Sequence, residues 1–133
     1  MSSREHTESI DVRLRDVDFM GHVNNAVYAT YLEEARASFF TDVIGESLVT
    51  ADTVLANLSI DYREPINDGQ TVHISMTIGS LGRSSIHMEY ELRVDGELVA
   101  TATTVQVVVS RDDGSSRPIP AAWRTRMEPY CVG

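Results

Sequence analysis

The chain predicts an α+β domain in which one long helix covers a face of an antiparallel sheet. Tyr28, Tyr31, Leu32, Ala35 and Phe39 recur at helical spacing and mark a single buried helix face. Four consecutive segments after that helix read as strands, three by their alternation of apolar and polar residues and the last as a long Val- and Thr-rich run. Asp95-Gly96, a tight-hairpin dipeptide, joins two of them. A helix followed by an uninterrupted meander has its helix on one sheet face and its strands paired antiparallel.

Taken in order, residues 1–8 read as a flexible lead-in. Ser9 to Arg15 alternates strictly, with Ile10, Val12 and Leu14 on one face of a half-buried strand. Asn24 and Asn25 sit where the helix begins, because asparagine caps the free first-turn N–H groups. The helix is expected from Asn25 to about Val43, and Gly45 is its natural C-terminal stop. Val54 to Arg63 forms the next strand, with Val54, Ala56, Leu58, Ile60 and Tyr62 sharing a face. Pro65, Asn67, Asp68 and Gly69 make a turn. Thr71 to Ile78 and Ile86 to Val94 alternate cleanly, separated by Gly79, Gly82 and Arg83-Ser84-Ser85. Glu97 to Val109 is the longest strand-like run. Asp112 to Ser116 is a loop, and a short turn starts near Trp123, with residues from about 126 to 133 a second flexible end.

At 133 residues, 42% hydrophobic and 23% charged, the chain reads as one soluble domain spanning 1–133. No apolar run approaches the ~20 residues of a membrane helix, and the polar N-terminus lacks a signal-peptide core. A cytoplasmic location follows, with no membrane partner. Cys131 is the only cysteine, which excludes an internal disulfide and a cysteine metal site. His6, His22, His73 and His87 are far apart without ligand spacing, so no metal is expected. All 11 basic residues are arginine, against 20 acids, and the net charge is −9. Nucleic acid is excluded as a partner, because phosphate contacts need clustered cations. A scattered acidic surface suits a salt-adapted source, while the lack of lysine equally fits a GC-rich genome.

The densest chemistry lies between Arg15 and Tyr28, where two acids, a glycine, a histidine and two asparagines precede the helix. The free N–H groups of a helix N-terminus attract negative charge. An oxyanion stabilised there would have the Asp18 carboxylate close by, to attack a carbonyl or to activate water. From the residues alone, an Asx-turn or capping acid is the favoured reading of Asp18.

The pattern Asp16-x-Asp18-x-x-Gly21-His22-Val23-Asn24-Asn25-Ala26-x-Tyr28-x-x-Tyr31-x-Glu33-x-Ala35-Arg36 resembles the opening signature of hotdog-fold acyl-CoA thioesterases of the 4-hydroxybenzoyl-CoA thioesterase type. The resemblance continues through Gly82-Arg83-Ser84-Ser85 to Pro118-Ile119-Pro120 and covers roughly residues 8–125. It implies a sheet curled around the central helix, hydrolysis of an acyl-CoA thioester and no prosthetic group. It also implies a homodimer or homotetramer whose site forms between subunits. On this reading Asp18 is the catalytic carboxylate and the Asn25 backbone N–H the oxyanion donor, with His22 a candidate to orient Asp18, move a proton or touch the acyl group. Gly21 allows a positive φ or close approach of substrate, and Asn24 caps the helix first and touches substrate second. Arg83 and Ser84 fall in a loop that lies near CoA in the family. Arg63, Arg124 and Arg126 are further candidates for its phosphates. Asp16 is expected to hold the loop by pairing with an arginine, and Glu33 to be a buried or interfacial partner for Arg36. Two other readings share the fold: a hydratase or dehydratase, and a domain that binds acyl-CoA without turnover.

Overall fold

The computed structural model describes residues 4–132. Strands β1 (His6–Asp11), β2 (Thr53–Tyr62), β3 (Thr71–Leu81), β4 (Ser85–Val94) and β5 (Glu97–Val108) form one sheet in the order β1-β3-β4-β5-β2. Every pairing is antiparallel. Helix α1 (Asn25–Phe39) lies on one face and buries Tyr28, Tyr31, Leu32, Ala35 and Phe39. The facing rows are Val72, Ile74, Met76 and Ile78 on β3, and Ile86, Met88, Tyr90 and Leu92 on β4, all buried. Period-2 alternation on the strands and helical spacing on α1 thus point at the same core. This is the α+β arrangement expected, a sheet around one central helix.

The Asp95-Gly96 turn has both residues at positive φ, 51° and 79°, as a two-residue hairpin requires. Helix α1 passes into a wider turn, Phe40–Ile44, which Gly45 closes at φ 87° by donating to the Phe40 carbonyl.

Three strand expectations change. Strand β1 runs His6–Asp11 rather than Ser9 to Arg15, so His6, Thr7 and Glu8 pair with β3 instead of forming a loose lead-in. Residues 1–3 lie outside the described residues. Leu14 leaves the sheet in a short 3₁₀ turn, Leu14–Asp16, and is 79% exposed. The Asp16 carboxylate accepts from Arg13 N–H at 2.9 Å and favours this turn over an extended ladder. On β2 a bulge between Leu55 and Asn57 breaks the alternation. Leu55, Leu58, Ile60 and Tyr62 therefore share the helix-facing side, opposite Gln106, Thr104, Ala102 and Ala100, and Val54 turns outward. Strand β3 continues through Gly79 to Leu81, with a bulge between Ile78 and Ser80 in place of the expected break.

The C-terminal end is a packed segment. Helix α2 (Ala121–Met127) and a 3₁₀ turn, Glu128–Tyr130, bury Trp123 and Met127, and Val132 N–H donates to the Ile78 carbonyl. The two arginines of α2 act as braces: Arg124 donates to the Gly82 carbonyl at 2.7 Å and Arg126 to the Ile44 carbonyl. Those contacts compete with the phosphate role expected for them.

Arg36 is buried in the core, and its Nε and Nη1 have no hydrogen-bond acceptor. Glu33, its expected partner, is exposed and makes no ion pair with it among the described residues. The guanidinium lies against Tyr90, whose hydroxyl also bonds Thr104 at 2.6 Å. Burial raises the Tyr90 pKa, and the Arg36 charge offsets part of that rise. A buried cation without a carboxylate is costly. Arg36→Met is therefore expected to raise unfolding free energy by about 1–3 kcal/mol, read from urea denaturation of both proteins under one buffer condition.

Candidate active site

The stretch before α1 folds into a tight hairpin. Val17 and Val23 pair, Asp18 N–H donates to the His22 carbonyl at 2.8 Å, and Gly21 N–H returns to the Asp18 carbonyl at 3.0 Å. Gly21 stands at φ 79°, and a Cβ there would meet nothing within 4 Å. Its requirement is conformational, and it does not line the cleft described below. Asp18 Oδ1 accepts from Met20 N–H at 2.9 Å and His22 N–H at 3.2 Å, an Asx-turn arrangement. Among the described residues Oδ2 makes no hydrogen bond, so one oxygen holds the loop and the other is available. The turn reading and the chemical reading of Asp18 are thus compatible.

Asn24 caps α1. Its side chain accepts from Ala26 N–H at 2.9 Å and its carbonyl from Val27 N–H. Among the described residues the Asn25 N–H has no acceptor, which leaves it a free first-turn donor. Tyr62 donates to the Asn25 carbonyl at 3.1 Å and packs edge-on against Tyr28, tying the end of β2 to the helix start.

Asp16 lies behind this surface. It is 3% exposed and accepts from the Tyr31 hydroxyl at 2.8 Å and from Arg13 through N–H and Nε. Burial alone would raise its pKa, but the Arg13 N–H, Tyr31 hydroxyl and Arg13 guanidinium together hold it below the ordinary value. The Tyr31 hydroxyl is pushed well up, first by burial and then by donating to Asp16. Asp16 anchors the loop with its arginine, as expected.

A second turn, residues 66–70, is stitched to the hairpin. Val23 N–H donates to the Ile66 carbonyl, Asp68 N–H to the Gly21 carbonyl, and the His22 ring Nδ1 lies 2.7 Å from Asn67 Oδ1. The resulting cleft, about 480 Å³, is lined by Asp18, His22, Asn24, Asn25, Tyr28, Tyr62, Arg63 and Glu64 among others. A carboxylate oxygen, a free backbone donor and an imidazole therefore share one opening with an arginine. That set suits attack on a carbonyl whose oxygen becomes negative.

Arg83 and Ser84 stand elsewhere. The Ser84 carbonyl accepts from Val108 N–H, whereas Tyr62 pairs with Ala100 at the other end of β5. Eight residues of strand, roughly 26 Å, separate the two ends within one chain. Tyr28, Tyr62, Glu64 and Asn67 complete the surroundings of Asp18; sequence reading assigned Tyr28, Tyr62 and Asn67 only to a helix face, a strand and a turn, and Glu64 to no element. Asn67 meets His22 across 45 positions, and no local pattern announces that pairing. No three His, Cys, Asp or Glu side chains among the described residues converge as a metal site.

The likenesses of this chain agree with that chemistry. It is 29% identical over 124 residues to the long-chain acyl-CoA thioesterase FadM of Escherichia coli, covering 90% of this chain and 94% of that one. It is 30% identical over 110 residues to the uncharacterized protein YsmA of Bacillus subtilis, covering 80% and 74% of the two chains. Among solved structures, a Thermus thermophilus thioesterase complexed with coenzyme A and Zn superposes with a TM-score of 0.84 at 37% identity, over 92% of this chain and 90% of that one. A model of the thioesterase-like superfamily matches residues 12–126, from just after β1 into α2, and takes in the cleft, the helix and strands β2 to β5: the chain is a thioester hydrolase that belongs to this superfamily.

Proposed function

We propose that the protein hydrolyses an acyl-CoA thioester to the free acid and CoA, with Asp18 as its catalytic carboxylate. The observation that carries this is the shared cleft of Asp18 and the unbonded Asn25 N–H at the start of α1. The Asn25 donor takes the negative carbonyl oxygen, while Asp18 either attacks the carbonyl or removes a proton from water. A single turnover in ¹⁸O-water that leaves label in Asp18 would show the anhydride route, because water attacking the Asp18 carbonyl of the anhydride puts its oxygen into that carboxylate. The opening motif resembles that of the 4-hydroxybenzoyl-CoA thioesterase type, and this resemblance supports the placement of the catalytic carboxylate at Asp18. CoA as the thiol half draws support from the Thermus relative, which holds it, and from FadM. Release of free thiol from a panel of acyl-CoAs tests the reading; binding without release would sink it.

The active unit is a homodimer with a shared site. Strand β2 is a sheet edge whose Val54, Leu55, Leu58 and Tyr62 are 37–49% exposed. An open apolar edge of this length favours pairing. Two β2 edges joined antiparallel would bring the partner's Arg83 turn toward Asp18, which answers the separation within one chain. Arg83→Ala is then expected to raise KM by about 1.5–3 kcal/mol with kcat little changed, and to have almost no effect on an acyl-pantetheine substrate. Mixing Asp18→Asn chains with Arg83→Ala chains should restore turnover at the wild-type KM through the one intact site of each mixed dimer. Failure to restore it would place both residues in one chain's site.

A further inference from the structure

Resting on the Asp18 reading, we propose that Asn67 is a positioning residue: it fixes the His22 ring with Nδ1–H donated to its side-chain carbonyl, so that bare Nε2 accepts a hydrogen bond from the water that is consumed in hydrolysis. Three contacts place Asn67. The His22 Nδ1 to Asn67 Oδ1 distance is 2.7 Å, the two residues form a backbone bridge, and Asp68 N–H holds the Gly21 carbonyl next door. With the amide oxygen on Nδ1, that nitrogen carries the proton and a neutral ring has Nε2 free as an acceptor. His22 lines the cleft, and its own backbone N–H holds Asp18 Oδ1. One residue thereby touches the carboxylate through its main chain and Asn67 through its ring.

The water then has two acceptors. Its first hydrogen goes to Asp18 Oδ2, which removes it as the oxygen bonds to the carbonyl carbon and the π pair moves to the carbonyl oxygen. Its second hydrogen points at Nε2 and stays on the new carboxylic acid until collapse expels the thiolate with the C–S pair. Asn67 itself is anchored, since its backbone N–H donates to Gln70 Oε1 at 2.8 Å. Protonation of Nε2 would remove the acceptor, so turnover falls as His22 becomes cationic. The charged groups around it are Asp18 on its own loop, Asp68 in the adjoining turn, and Arg63 and Glu64 after β2.

The test combines kinetics with ¹⁵N NMR of the imidazoles, His22→Gln assigning the signals. Wild type is expected to show His22 as the Nδ1–H tautomer, and Asn67→Ala a mixture of tautomers. Asn67→Ala should lower kcat by about ten- to a hundredfold with KM little changed, and add little further loss in a His22→Gln background. Asn67→Asp puts a carboxylate on Nδ1 and should move the acid limb of kcat/KM upward by about one pH unit. That displacement is a response a merely structural residue would not give. An Nε2–H tautomer in the wild type, or an unmoved acid limb in Asn67→Asp, would overturn the proposal. A wild type that hydrolyses no acyl-CoA would overturn the thioesterase reading and the water role together, and the NMR spectra would still decide whether Asn67 sets the ring.

Discussion

Asp18→Asn is expected to fold as the wild type does and to lose about 10³-fold in kcat. The amide retains an oxygen for the Met20 and His22 N–H groups, so the hairpin keeps its Oδ1 contacts. What disappears is the negative charge and with it the base or nucleophile. The loss should fall on kcat and kcat/KM alike, because the carboxylate acts on the reacting carbon rather than on the bound ground state. Asp18→Ala removes the loop contacts as well and should add a modest drop in thermal midpoint. Near-normal turnover by Asp18→Asn at an unchanged midpoint would move the catalytic role elsewhere, first to Glu33, an exposed acid on α1.

Asp16→Ala should instead cost stability, about 2–4 kcal/mol at neutral pH. It orphans the hydroxyl of fully buried Tyr31 and two donors of Arg13. The pH dependence has a definite sign. The folded pKa of Asp16 lies below its ordinary value, so its contribution is present above the usual carboxylate range and is lost as pH falls through the folded value. Urea midpoints of wild type and Asp16→Ala should therefore be far apart at neutral pH and converge in acid. A gap that stays constant across that range would mean the loss is one of packing alone. Asp16→Asn, which retains one acceptor, should be milder, and its kcat at temperatures where it is folded should stay close to wild type.

These two acids sit two positions apart, and their different fates show where local reading suffices. That Asp18 precedes a helix start was visible in Asn24-Asn25 and the apolar spacing behind them, because caps and helix faces are local in sequence. That Asp16 is buried under Tyr31 while Asp18 is exposed depends on how the hairpin folds back over α1. Leu14 is a parallel case. Its alternation with Ile10 and Val12 predicted a strand, and a single side-chain contact from Asp16 to Arg13 N–H turned the chain out of the sheet first.

The sequence by itself determined the α+β class, the helix from Asn25, the alternating faces of β3 and β4, the long strand β5, the Asp95-Gly96 hairpin and the candidate carboxylate. Each of these follows from periodicity or turn chemistry over a few residues, where the backbone's own geometry dictates which side chains face together. Only the tertiary structure decided that Asn67 meets His22, that Tyr62 closes the helix start, that Arg124 and Arg126 brace carbonyls, and that Arg83 lies at the far end of β5 from Asp18. Those contacts join residues 37 to 82 positions apart. They depend on strand order and on the bulge in β2, and a one-residue shift of register would send the same side chains to the opposite face.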